Sequence, residues 1–141
     1  MADLRNPNIG FADKTQSSYD LSMKKLPLTI SGMVIEGKKY GRKIGFPTAN
    51  LDVKQYDISN GIYAGFAKLE NLPEKYKVAI IIDPTPSFEV HILDFNKNIY
   101  GQKLEIEIVE KIRPFQKFET EEELISQIKK DLEKVKELLI L

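Results

Sequence analysis

Thr48 and Asn50 stand two residues apart in GFPTAN, residues 45–50. Side chains alternate along an extended segment, so the threonine hydroxyl and the asparagine carboxamide would share one face there. Both are hard oxygen donors of the kind Mg2+ accepts. Two neutral ligands hold that ion only in company with waters and phosphate oxygens. Gly32, Gly37, Gly41 and Gly45 precede them, and Lys38, Lys39, Arg42 and Lys43 lie among the last three of these glycines. Glycines so frequent let backbone N–H groups approach an anion closely, while the cations supply countercharge, as in a phosphate cradle. The spacing matches neither the Walker-type loop nor the dinucleotide fingerprint. Hairpin turns with solvated lysines compete with the cradle reading, as do an ordinary strand role for Thr48 and a turn role for Asn50.

Glu89 is the second chemical candidate. It sits between Phe88 and Val90 in an otherwise apolar run. A carboxylate in that setting can take a proton from a substrate hydroxyl. Strand alternation accounts for it equally well as a solvent-facing residue. His91 shares its face and is given no role. Further on, Arg113 precedes Pro114 in IRPFQKF, a segment able to flank a planar ligand by stacking or cation–π contact, or simply to connect a strand to a helix.

These side chains need a scaffold, and 141 residues suffice for one domain with a real core. Apolar residues make up 42% and charged residues 30%, which argues against global disorder. A formal net charge of zero removes the broad electrostatic drive toward nucleic acid or anionic membrane. The chain has no cysteine and one histidine, so disulfides, thiolate sites and multi-histidine zinc patterns are excluded. No stretch approaches the ~20 apolar residues of a membrane span, and the first residues lack the features of a signal peptide. A cytoplasmic protein is expected.

Residues 1–25 are polar and rich in turn formers and read as an N-terminal arm, with the folded domain over 26–141. Strands are expected over 28–37, through TANLDV, and in IYAGFAKL, YKVAIIID, FEVHILDF and QKLEIEIVEKI. YKVAIIID is apolar enough to be covered on both faces. In FEVHILDF, Phe88, Val90 and Ile92 oppose Glu89, His91 and Leu93. Short strands between turn signals point to a small antiparallel barrel or sandwich. The end differs: TEEE is a capping box with Thr120 as N-cap, and Leu124, Ile128, Leu132, Val135 and Leu139 recur at helical spacing.

With those residues in view, SGMVIEGKKYGRKIGFPTANL resembles the opening signature of riboflavin kinases, and residues 88–133 resemble the rest: the E-x-H-I strand, the turn ending Y-G, the R-P element and the last helix. The likeness runs over about 26–139. There are departures: Ile81 or Ile82 stands where a glycine is expected, the stretch 84–89 is short, and Phe115 follows Arg113-Pro114 where many members have glutamate.

The resemblance implies a mainly β protein, a six-stranded antiparallel Greek-key barrel with a C-terminal amphipathic α-helix. It implies transfer of the ATP γ-phosphoryl group to the 5′-hydroxyl of riboflavin, giving FMN and ADP. On it, Thr48 and Asn50 hold Mg2+ on the nucleotide phosphates, with another divalent metal possible. Gly37, Gly41, Arg42, Lys43, Gly45, Thr48 and Asn50 form the nucleotide side, Glu89 is the general base, and Arg113 and Phe118 border the flavin. Partners are then small molecules, without nucleic acid or membrane, and a monomer is expected. The alternatives are a non-catalytic flavin- or nucleotide-binding module on the same barrel, or the kinase domain of a bifunctional enzyme.

Overall fold

The structure, a computed structural model, describes residues 26–37, 40–54 and 56–139. The expected arm over 1–25 lies outside the described residues. Six strands follow in order: β1 (Leu28–Ile35), β2 (Ala49–Asp52), β3 (Gly61–Leu69), β4 (Tyr76–Asp83), β5 (Ser87–Ile92) and β6 (Lys103–Arg113). A single helical turn, α1 (Tyr40–Lys43), precedes β2, and α2 (Glu121–Leu138) follows β6. The strands close into a barrel in the order β1-β2-β5-β4-β3-β6, every pair antiparallel. Greek-key connection appears where β2 pairs with β5 rather than with β3.

Alternation decides which side chains fill the barrel. Val34, Leu51, Tyr63, Val78, Ile80, Ile82, Val90, Leu104, Ile106 and Ile108 are buried together inside it. In β4 the odd-facing residues differ from one end to the other. Ala79 is buried beneath α2, with Val135 and Leu139, whereas Ile81 opens onto a cleft. The expectation that β4 is covered on both faces holds for this reason only at its middle, Val78, Ala79 and Ile80. β5 is shorter than the apolar pattern suggests. The Leu93 N–H still reaches the Lys77 carbonyl in register at 3.0 Å, but Asp94 then takes a left-handed backbone, φ 56°, and the strand ends at Ile92.

The helix starts where the capping box places it. Thr120 Oγ1 accepts from the Glu123 N–H at 3.1 Å, a cap worth about 1 kcal/mol. Its apolar stripe is divided in use. Val135 and Leu139 pack on the barrel wall with Leu132 against them, while Leu124 and Ile128 stay half-buried along a cleft. No helix among the described residues is long and apolar enough to cross a membrane.

Candidate active site

β2 and β5 pair through Ala49↔Val90 and Asn50↔Glu89. Val90 points into the barrel, so the next pair, Asn50 and Glu89, stands on its outer face. Thr48, one residue before β2, donates its hydroxyl hydrogen to Glu89 Oε1 at 2.9 Å. Thr48, Asn50 and Glu89 therefore share a face, as alternation predicts. Ser87 donates to the other carboxylate oxygen at 3.3 Å, a contact the sequence reading missed. Its only sequence signal was its spacing, two residues from Glu89 on one strand.

Ser87 is itself fixed by the turn before it. Asp83 Oδ1 accepts from the Thr85 N–H at 2.9 Å, the Ser87 N–H at 3.0 Å and the Thr85 hydroxyl. Partial burial pushes the Asp83 carboxyl up, but the hydrogen bonds from Thr85 and Ser87 outweigh it and leave the group below its ordinary value.

The glycine-rich loop folds back on itself ahead of β2. The Phe46 N–H donates to the Gly41 carbonyl at 2.7 Å, and Gly45 takes a φ of +94° in the connecting turn. Gly37 is required by closeness instead. A Cβ there would fall 1.8 Å from Asn50 Oδ1, so the carboxamide lies directly against the glycine. Lys38 and Lys39 lie outside the described residues.

Three clefts meet this face. The largest, about 830 Å³, is bordered by Gly41, Lys43, Thr48, Ile81, Glu89 and His91 on one side. Arg113, Phe115, Phe118, Leu124 and Ile128 border it on the other. A second, about 610 Å³, is formed by Arg42, Pro47 and Thr48 with the loop 95–100. Thr48 belongs to both. Asn50 borders a third, about 740 Å³, with Glu36, Asp83 and Phe88. The structure thus gathers Gly41, Lys43, Thr48, Glu89, Arg113 and Phe118 around one space, puts Arg42 in the second cleft and Asn50 in the third, and leaves Gly37 and Gly45 outside all three linings.

Arg113 meets the large cleft as an ion-paired group. Its Nε donates to Asp131 Oδ1 at 2.9 Å and its Nη2 to Oδ2 at 2.8 Å, a bidentate fork. Nη1 reaches the Pro114 carbonyl at 3.2 Å, and the guanidinium lies 5.8 Å over the Phe118 ring. Asp131 is 5% exposed and also accepts from Gln127 at 3.0 Å. Sequence reasoning did not find this pairing. Its signal was an acid on the apolar side of the helix, three residues after Ile128 and four before Val135. Across the cleft mouth, the Tyr40 hydroxyl donates to Glu121 Oε2 at 3.0 Å, and that bond, followed by desolvation and the charge of the same carboxylate, holds the phenol above its usual range.

No group of three or more His, Cys, Asp or Glu among the described residues is placed to hold a metal ion. The oxygens on offer are those of Thr48 and Asn50. Because the Thr48 hydroxyl hydrogen is directed at Glu89, its lone pairs remain available. Such a donor set suits Mg2+ arriving with phosphate oxygens and waters, not a metal caged by protein alone.

The family model described as Flavokinase, riboflavin kinase, matches residues 24–139. The chain belongs to the riboflavin kinase family. An RNA-binding riboflavin kinase of Bacillus subtilis is 39% identical over 109 residues, covering 73% of this chain and 47% of the relative. The human riboflavin kinase is 36% identical over 131 residues, covering 83% of this chain and 84% of its own length. The first curated relatives it matches are longer, and the chain spans less than half of each. Among solved structures, the riboflavin kinase of Trypanosoma brucei superposes with a TM-score of 0.63 at 24% identity, over 79% of this chain and 76% of that one, a likeness of fold.

Proposed function

We propose that this chain is an ATP:riboflavin 5′-phosphotransferase, converting riboflavin and ATP into FMN and ADP. The observation that carries the reading is the Thr48–Glu89 hydrogen bond, because Thr48 is the wall between two clefts. The nucleotide occupies the smaller cleft, with Arg42 and the loop 95–100, and its phosphates reach past Thr48 toward the glycine-rich segment of Gly37, Gly41, Lys43 and Gly45, where Gly41 and Lys43 border the larger cleft. Riboflavin occupies the larger one, its ring toward Phe118 and the Arg113 segment and its ribityl end at Glu89.

Glu89 accepts the proton of the 5′-hydroxyl as that oxygen attacks the γ-phosphorus. The bond to the β–γ bridging oxygen breaks and ADP departs. No covalent nucleophile takes part, so the chain needs no cysteine. Phosphoryl transfer asks chiefly for positioning and charge neutralisation. Mg2+ held by Thr48 and Asn50, together with phosphate oxygens and water, would supply the latter. Part of the same proposal are a monomeric state, a cytoplasmic location and small-molecule partners without nucleic acid or membrane, in keeping with a formal net charge of zero.

The test is direct. Protein, riboflavin and ATP are incubated with and without Mg2+, and flavins are separated by chromatography. FMN should form only with metal present. No FMN with any divalent metal or nucleoside triphosphate would overturn the reading.

A further inference from the structure

His91 is the only histidine in the chain. It lies two residues beyond Glu89 on the same face of β5 and borders the larger cleft. Its Nδ1 is 2.7 Å from the carbonyl oxygen of Pro47. A carbonyl can only accept, so Nδ1 bears the hydrogen in this contact. The Phe46 ring meets the imidazole nearly edge-on, with centroids 6.1 Å apart, and restrains the plane of the ring.

The place of this contact gives it meaning. Paired residues of β2 and β5 are Ala49↔Val90 and Asn50↔Glu89. Pro47 lies beyond them and has no N–H with which to extend the ladder. The His91 side chain takes over where the backbone pairing stops. The Pro47 carbonyl and the Thr48 nitrogen belong to one planar peptide, so holding that carbonyl also sets the direction in which Thr48 leaves it. The Thr48 hydroxyl then meets Glu89 at 2.9 Å. One strand thus grips two consecutive residues, Pro47 through His91 and Thr48 through Glu89.

We propose that His91 is a positioning residue for phosphoryl transfer: its Nδ1–H clamps the Pro47 carbonyl and so sets the Thr48 hydroxyl against Glu89. The proposal rests on the roles given above to Thr48 and Glu89. His91 acts through them and not on the reacting atoms. Its contribution is geometric, and a displacement of about 1 Å near reacting groups can cost about 100-fold in rate.

Two measurements test it. Because the untagged chain holds a single imidazole, a long-range nitrogen–proton correlation spectrum of the neutral ring reports one tautomer without ambiguity. Hydrogen on Nδ1 is expected, and hydrogen on Nε2 overturns the clamp whatever the activity. The second measurement compares H91N, whose amide N–H stands near the Nδ1 position, with H91Q, which places it near Nε2, and H91L. H91N should keep kcat within about threefold of the parent, whereas H91Q and H91L lose about 10- to 100-fold with little change in the riboflavin KM. Equal loss in H91N and H91L, or full kcat in H91L, overturns the proposal. A parent protein that makes no FMN would sink the kinase reading instead, and the tautomer spectrum would still decide the clamp.

Discussion

The carboxamide of Asn50 occupies the space in which any other residue at position 37 would place its Cβ, 1.8 Å from Oδ1. The end of β1 and the start of β2 are thereby fitted to one another through a missing side chain. Gly37→Ala should displace Asn50 and weaken nucleotide binding about tenfold, equivalent to about 1.4 kcal/mol. Calorimetric titration with MgADP checks this. Unchanged affinity would remove Asn50 from the nucleotide side.

Glu89 is expected to matter to turnover and little to nucleotide binding. Glu89→Gln keeps the shape and the bond from Thr48, yet cannot accept the substrate proton. FMN formation should fall about 100- to 10,000-fold, with MgADP affinity nearly intact. Equal loss of both would show that the carboxylate holds the site together without acting as base.

The Arg113–Asp131 pair gives a stability prediction with a functional arm. Removing Asp131 leaves the partly buried Arg113 guanidinium without its carboxylate, so Asp131→Ala should cost about 1.5–3 kcal/mol in a urea titration. Replacing both, Arg113→Met with Asp131→Leu, should recover much of that stability, since apolar pairs often substitute for buried ion pairs without loss. Riboflavin affinity should not recover with it if the guanidinium and Phe118 border the flavin. Recovery of both would make the pair purely structural.

Asp83 adds an acid-sensitive component. Its folded-state value lies below the ordinary one, because hydrogen bonds from Thr85 and Ser87 outweigh burial. The sign follows: the stabilisation is present above the unfolded value of about 3.9 and disappears as pH falls through the lower folded value. Asp83→Asn should therefore be less stable than the parent at neutral pH, and the gap between their urea midpoints should shrink in acid below about pH 4. A gap that does not vary with pH would assign the difference to the turn geometry.

Much of the frame could be read from the chain because the signals are local. Alternation places Val90 inside and Glu89 outside whichever strand β5 meets, and Thr120 caps α2 using atoms three residues away. The shared face of Thr48, Asn50 and Glu89 needed one further fact, the register Asn50↔Glu89, which barrel closure supplies. What stayed hidden depends on distant partners. Asp131 was one more acid in a charged helix until the fold put Arg113 beside it, and His91 acquired Pro47 across 44 residues of sequence. The end of β5 was missed for a different reason: apolar content continues through Leu93 while the backbone turns at Asp94.

The divided stripe of α2 carries a consequence for the protein without substrate. Val135 and Leu139 find their neighbours in the barrel, but Leu124 and Ile128 face a space of about 830 Å³. A planar aromatic guest filling that space would complete the apolar surroundings of the helix. On the proposed function, riboflavin would serve as a removable piece of the hydrophobic interior, packed against Leu124 and Ile128. Riboflavin should accordingly stabilise the fold by mass action, about 2.7 kcal/mol at a concentration 100 times its dissociation constant, and so raise the melting temperature.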